Sequence, residues 1–389
     1  MQKLKLYLSS GSVQTIPQML DLAYCAYDLS VVKIICWYRT ELTQFQLRGT
    51  NAFYIPQKYI VSPEFVNKIM EIISVFKPQQ IEIHANLGFT NVELYRVLAS
   101  VTRIVDREQL KIHLYDDGMQ SIIDRFEFSR LKEKEFNELK NSCLHYLSTI
   151  LKDETNPYAD YLRSRWPTLM NYLWHHFFDV TYHIMDKHEG RLYHSVTPFQ
   201  KFIINNTQTL QHASIEKTDP KTLAFCLSLL KLDILTLNQI KHKTQQENSL
   251  LYMGAGYLNA EKDNTITNKQ IIKIESMKAQ GIIREQDHLI FKAHPINHIN
   301  NRERIAQALG DDVYTLPNSI PFEILPLIGL TSPDIICTFS TLIFTMSPIS
   351  FRHIIGNADT TSASLKNPIL QALVKEKIIN RKLISGWLD

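Results

Sequence analysis

Apolar and polar positions along the first 120 residues alternate between strand-like and helix-like spacing. LKLYLSSGS (4–12) reads as a strand running into a small-residue loop. PQMLDLAYCAYDL follows with helical spacing, and VVKIICWY (31–38) is a second strand. SPEFVNKIMEIISVF (62–76) predicts a helix, with Ser62 as its N-cap and Pro63 at the first helical position. QQIEIHANL (79–87) is a strand, NVELYRVLASVTRIV (91–105) a helix and KIHLYDD (111–117) a strand again. Strands alternating with helices imply βαβ units and a parallel sheet.

From 120 to 245 the pattern changes to charged, aromatic-rich stretches, read as a helical elaboration of the first domain. The polar stretch KHKTQQENS (241–249) is the linker candidate. A second alternation follows. LLYMGAG is a strand and glycine loop, HLIFKAHP a strand and loop, VYTLP a short strand, and SPDIICTFS (332–340) a strand ending in hydroxyls. IPFEILPLIGL reads as a short helix between the last two. The pattern predicts an α/β protein of two domains, 1–245 and 246–372. Helical periodicity continues over 373–389, and this tail could pack on either domain.

Length agrees with two domains, since 389 residues are many for one core. Hydrophobic residues make up 44% and charged residues 21%, the balance of an ordinary globular protein. A net charge of +3 is too small to argue for nucleic acid as a partner. It permits an anionic ligand or peripheral contact with an acidic membrane surface. No apolar run reaches the roughly 20 residues of a membrane span. Met1-Gln2-Lys3 leads straight into the first strand, so a chain without a secretory leader is expected. The five cysteines are odd in number and widely spaced, which predicts reduced thiols and a cytoplasmic protein.

Chemistry concentrates where apolar runs stop. Asp116-Asp117-Gly118 follows a strand; adjacent strand residues point to opposite faces, so one carboxylate alone addresses a ligand and the other bonds the backbone or caps a helix. An ordinary Asp-Gly turn gives the same pattern. His294-Pro295 follows HLIFKA, and the proline fixes the backbone beside an imidazole that can meet a phosphate or supply a proton; a plain loop histidine is the alternative. Lys292 adds a positive charge there or faces solvent. Ser340-Thr341 ends a strand, either as an anion site or as a simple cap. Glu323 can hold a ribose diol or stand exposed on a helix. Gly254-Ala255-Gly256 lacks the third glycine of a dinucleotide fingerprint. His175, His176, His183, His188 and His194, near Asp179, match no zinc spacing and read as amphipathic helical side chains, so no metal is expected.

The order strand–DDG, glycine loop, strand–HP, PFE, strand–ST, clearest in KIHLYDDGM, LIFKAHP, LPNSIPFEIL and FSTLIF, resembles the bacterial sialyltransferases of glycosyltransferase family 80. The resemblance runs nearly end to end. It implies a GT-B fold, two Rossmann-like domains facing across a deep cleft, with an acceptor domain first and a CMP-donor domain second. CMP-Neu5Ac would be the donor, with no metal or other cofactor. A galactoside-terminated glycan or lipooligosaccharide would be the acceptor, at the cytoplasmic side of the inner membrane. By this resemblance Asp117 is the general base and His294 meets the CMP phosphate. Ser340 and Thr341 bind that phosphate, Glu323 holds the ribose, and Lys292, Ala293 and Pro295 line the donor site. Asn51, Asp116, Gly118 and Tyr257 complete the set as donor or acceptor contacts. The sequence departs from the family pattern at Tyr257, in the place of a tryptophan that closes over the donor, and at Ile296, Phe89 and Met119-Gln120, changes that cluster on the acceptor side. The rival readings are a GT-B enzyme using CMP-Kdo or a UDP-sugar, and a non-catalytic carbohydrate-binding protein on the same fold.

Overall fold

A computed structural model describes residues 3–386 apart from 12, 39, 57–62, 89–90, 153–166, 186–191, 193–195, 211–218, 319, 323–333, 347 and 357–366. The chain forms two compact units whose main boundary falls between Leu229 and Leu230.

The first unit is a parallel sheet of seven strands: β1 (Lys3–Ser9), β2 (Val31–Trp37), β3 (Ala52–Tyr54), β4 (Gln80–Asn86), β5 (Leu110–Tyr115), β6 (Asp179–Ile184) and β7 (Thr207–Thr209). Their order is β3-β2-β1-β4-β5-β6-β7. The order reverses between β1 and β4, which is the switch point of a doubly wound fold. Odd and even strand positions separate sharply. Leu4, Leu6, Leu8, Ile81, Ile83, Ala85, Ile112 and Leu114 face a large apolar core, shared with the helices Pro63–Phe76, Asn91–Val101 and Glu133–Lys152. The alternate positions are Lys5, Tyr7 and Ser9, then Glu82, His84 and Asn86, then His113 and Tyr115. They form a polar stripe on the opposite face, and most of it is buried.

The second unit repeats the plan with six parallel strands: β8 (Ser249–Met253), β9 (His288–Lys292), β10 (Tyr314–Thr315), β11 (Asp334–Thr338), β12 (Phe351–Ile355) and β13 (Ile384–Ser385). The order β10-β9-β8-β11-β12-β13 has its switch between β8 and β11. Here the interiors of β8, β9 and β11 are apolar, and Leu250, Tyr252, Phe291, Ile336 and Ile355 pack with Ile266, Ile274 and Ile305 of the helices Ala260–Ala279 and Ile299–Leu309.

Several expectations are corrected. The segment 120–245 is not wholly helical, since β6 and β7 extend the first sheet within it. The boundary expected at 245 lies earlier. The helix Ile234–Thr244 buries Leu237, Ile240 and Thr244 and belongs with the second unit. The polar stretch 241–249 is therefore no linker. It is the end of that helix, a turn fastened by Ser249 Oγ donating to Lys243 O and Gln246 O at 2.8 Å each, and the first residue of β8. Nor is 373–389 one helix. The helix Pro368–Lys375 stops where Lys377 adopts φ +55° and Ile378 N–H returns to Leu373 O at 2.9 Å. The chain then enters β13, which pairs with β12. Ser62, the expected cap, lies outside the described residues. Among the described residues no single helix is long and apolar enough to cross a membrane. The five cysteines are free, four of them buried.

Candidate active site

β5 delivers the acidic loop of the first unit. Asp116 turns inward and is fully buried. Its Oδ2 accepts from Arg125 Nη2 at 2.6 Å and from Met185 N–H at 2.9 Å, while its own N–H donates to His183 O at 2.9 Å. Arg125, itself 2% exposed, sits on the helix Met119–Phe128 that begins just after the motif. Asp116 thus ties strand to helix, and a buried pair of this kind is costly to break. It is not the ligand contact that the resemblance implied. Gly118, at φ +95°, makes the reversal between strand and helix; a side chain there would be strained.

Asp117 remains half-buried at the sheet edge. Its Oδ1 accepts from Asn86 Nδ2 at 2.6 Å, and its N–H donates to Ser121 Oγ at 3.2 Å. Asn86 ends β4 and is fully buried. Its amide is oriented from the other side of the switch point, where Ser10 N–H donates to Asn86 Oδ1 at 3.2 Å. Asn86 Nδ2 also donates to Ser10 Oγ at 3.0 Å. Gly88 closes the arrangement, because a Cβ at that position would collide with Asp117 Oδ2.

β9 delivers the basic loop of the second unit. Lys292 and Ala293 are 3% and 2% exposed. The lysine ammonium is directed at the carbonyls of Ala293 and Asn318, at 3.4 and 3.3 Å, rather than outward. Lys292 O is occupied by Gly254 N–H at 2.9 Å. His294 is half-buried, and its Nδ1 accepts from Ile296 N–H at 3.4 Å, which places the proton of the neutral ring on Nε2. Pro295 is exposed, and its carbonyl accepts from Arg302 Nη2 at 3.3 Å.

A carboxylate that the sequence reading passed over fastens this loop. Asp263, fully buried near the start of the helix Ala260–Ala279, accepts from Asn297 Nδ2 at 2.7 Å, Asn301 Nδ2 at 2.8 Å, Tyr257 N–H at 3.0 Å and His298 N–H at 3.0 Å. Burial pushes its carboxyl up, but these hydrogen bonds outweigh burial and hold it below the ordinary value. Asn297 in turn accepts from His294 N–H at 3.1 Å and donates to Ala255 O at 3.0 Å. Gln270 clamps Ala255 at both N–H and C=O, at 2.8 and 3.0 Å. Asp263 therefore joins the glycine loop after β8 to the His294 loop after β9. Gly256 permits the junction, since a Cβ there would come within 2.5 Å of Asn297 Nδ2. Tyr257 is 40% exposed beyond it.

Ser340 and Thr341 follow β11, across the switch point from β8, and are half-buried. The helix they open, Leu342–Thr345, is only four residues long, and the Thr341 side chain makes no cap bond to it. Glu323 and Phe89 lie outside the described residues. Asn51 is removed from the site. It immediately precedes β3, whose parallel register with β2 puts it at the amino edge of the sheet, and its Nδ2 donates to Leu29 O at 3.2 Å. Asp117 stands at the opposite, carboxyl edge of the same sheet.

The histidines do not form the expected helical group. His175 and His176 occupy a short 3-10 turn, with His175 Nδ1 at 3.0 Å from Tyr182 OH. His183 lies on β6, and its Nε2 meets His113 Nδ1 at 2.9 Å. His188 and His194 are outside the described residues. The notable cluster is instead on the polar stripe. The Nε2 atoms of His84 and His113 approach Glu82 Oε1 at 3.2 and 3.4 Å, and the three groups bring one ligand atom each within 4.8 Å of one another. Lys3 pairs with Glu82 Oε2, and Lys5 lies 3.5 Å from Oε1 while binding Asp21 at 2.7–2.8 Å. Two ammonium groups thus balance two carboxylates, and a divalent cation would add uncompensated charge to a buried set. The donor atoms alone suit a metal; the charges do not.

Two doubly wound α/β units, each bringing a candidate side chain to a strand end, have the GT-B fold, and the family match over the chain makes the protein a glycosyltransferase. The family Sialyltransferase PMO188 matches residues 4–387, and the chain belongs to that family. Solved structures agree in fold. The α/β-galactoside α2,3-sialyltransferase of Photobacterium phosphoreum is 18% identical, with a TM-score of 0.78 over 100% of this chain and 99% of that one. The 2,6-sialyltransferase of Photobacterium sp. JT-ISH-224, in complex with CMP and lactose, is 19% identical, with a TM-score of 0.82 over 100% of this chain and 79% of that one. The GT-B domain of a Photobacterium damselae sialyltransferase, its residues 113–497, is 19% identical, with a TM-score of 0.79 over 99% and 100% of the two chains. No curated protein matches the chain.

Proposed function

We propose that this sialyltransferase moves sialic acid from CMP-Neu5Ac to the hydroxyl of a terminal galactoside, by single displacement with inversion. Asp117 takes the proton of the acceptor hydroxyl. The acceptor oxygen bonds to the anomeric carbon as the bond from that carbon to the phosphate oxygen breaks. CMP leaves with the electron pair, and His294 neutralises the charge that develops on its phosphate. Ser340 and Thr341 supply hydroxyl donors to that phosphate. The transition state has oxocarbenium character, as in glycoside hydrolysis.

The observation carrying this reading is the different fate of two adjacent carboxylates. Asp116 is consumed by Arg125, while Asp117 stays at the edge with one oxygen oriented. One available carboxylate suits a base and gives no covalent nucleophile beside it. Support for the donor and acceptor comes from the neighbour solved with CMP and lactose. We favour an α2,3 linkage, a lipooligosaccharide acceptor and action at the cytoplasmic face of the membrane, with no metal in the chemistry. The test is thermal-shift binding of CMP, UDP and GDP, then a galactoside array with CMP-Neu5Ac and linkage analysis of the products. CMP stabilisation and α2,3 products are expected. Stabilisation by UDP instead would overturn the donor, and α2,6 products the linkage.

A further inference from the structure

Asn86 has no place in the sequence motifs, yet its side chain touches the proposed base directly. The amide cannot be turned end for end without loss. Its Oδ1 receives the backbone N–H of Ser10, which can only donate, so Nδ2 must face Asp117 Oδ1 and Ser10 Oγ. The side chain is fully buried, so water does not compete for these bonds. The three participants come from the ends of β1, β4 and β5, and the first two strands are those that flank the switch point. A donor held 2.6 Å from a carboxylate oxygen fixes the rotamer of the acid and favours its charged form. A general base must be ionised before it can act.

We infer that Asn86, oriented by Ser10, is a positioning residue that holds Asp117 as an aligned carboxylate for sialyl transfer. This rests on the reading of Asp117 as the base. Gly88 contributes by leaving room on the Oδ2 side, where any side chain would displace the carboxylate.

The measurement is the pH dependence of kcat/KM for Asn86→Ala and Asn86→Asp, with Asp117→Asn alongside. Asn86→Asp keeps the shape and the acceptor for Ser10 but replaces the donor with a second carboxylate. The acid limb should move up by about one pH unit in Asn86→Ala, where a donor is lost, and further in Asn86→Asp, where like charges meet. The KM for CMP-Neu5Ac should hardly change. A uniform fall in activity with an unmoved acid limb would show a structural role and overturn the inference, as would failure of both variants to fold by circular dichroism. If Asp117→Asn keeps full activity, Asp117 is not the base, and the mechanism fails whatever the Asn86 variants do. If Asp117→Asn is inactive while both acid limbs stay in place, only the role of Asn86 falls.

Discussion

Asp117 and His294 each follow a central parallel strand, one strand removed from the switch point of its sheet, yet they are held by unlike means. Asp117 is gripped at its own carboxylate by a side chain from the neighbouring strand. His294 is held mainly through its backbone, by Asn297, which in turn hangs on the buried carboxylate of Asp263. The difference follows from the sheets. The first sheet carries a polar stripe, so strand residues are available as partners. In the second the interiors of β8, β9 and β11 are apolar, and the brace on the His294 loop comes from a helix. The same architecture therefore orients one group atom by atom and the other loop by loop.

The comparison breaks most directly at the two side chains themselves. Asp117→Ala should lower kcat by about 10³-fold while CMP binding persists, and His294→Ala should lower it by about 10²-fold. Steady-state kinetics with calorimetric CMP titration checks both, and a near-normal rate in either would remove that residue from the chemistry. Asp263→Ala should come next. It leaves several buried donors unpaired, which costs about 3 kcal/mol or more. The urea midpoint of the second unit should fall and CMP affinity weaken, with the first unit unaffected; an unchanged midpoint would deny Asp263 its bracing role.

A matched pair of glycine variants sharpens the contrast. Gly88→Ala pushes on the Asp117 carboxylate, so kcat should drop with donor KM steady. Gly256→Ala pushes on Asn297, so donor KM should rise instead. Equal effects of the two on both constants would dissolve the distinction. The smallest effect concerns pH and stability. Burial pushes His183 down to about 3 and also lowers His84. Glu82 and Asp21 are depressed as well; burial raises both, but neighbouring histidine and lysine groups and hydrogen bonds outweigh it. For each histidine the unfolded chain binds the proton more readily. The stabilisation is thus complete above pH ~6.5 and drains away as pH falls towards the folded value. Melting temperature should decline from pH 7 to 4, and His183→Asn should flatten that decline. Parallel curves for the two proteins would refute it.

The parallel strands β1, β2, β4 and β5 were legible because β-branched and apolar positions were dense and loops of small or ionisable residues closed them. β6 was not. Its DVTYHI places Thr181 and His183 on the polar stripe, so it lacks the continuous apolar run of a buried parallel strand. The end of the helix Pro368–Lys375 was hidden for another reason. Lys377 takes the left-handed conformation without a glycine to announce it. In the site, Asp117 and His294 stood out because each follows an apolar run immediately. Asn86 and Asp263 did not, since their partners come from distant segments and only the assembled sheets bring them together. Asn51 was misplaced by motif matching, which ignores which way a strand runs.

The buried pairing of Asp116 with Arg125 has a consequence for anyone screening variants of the acidic doublet. Both aspartates would score as essential in a colony assay, one through lost chemistry and the other through a collapsed interior. Only a soluble, well-folded but inert protein would mark the first kind; an aggregated or protease-sensitive one would mark the second.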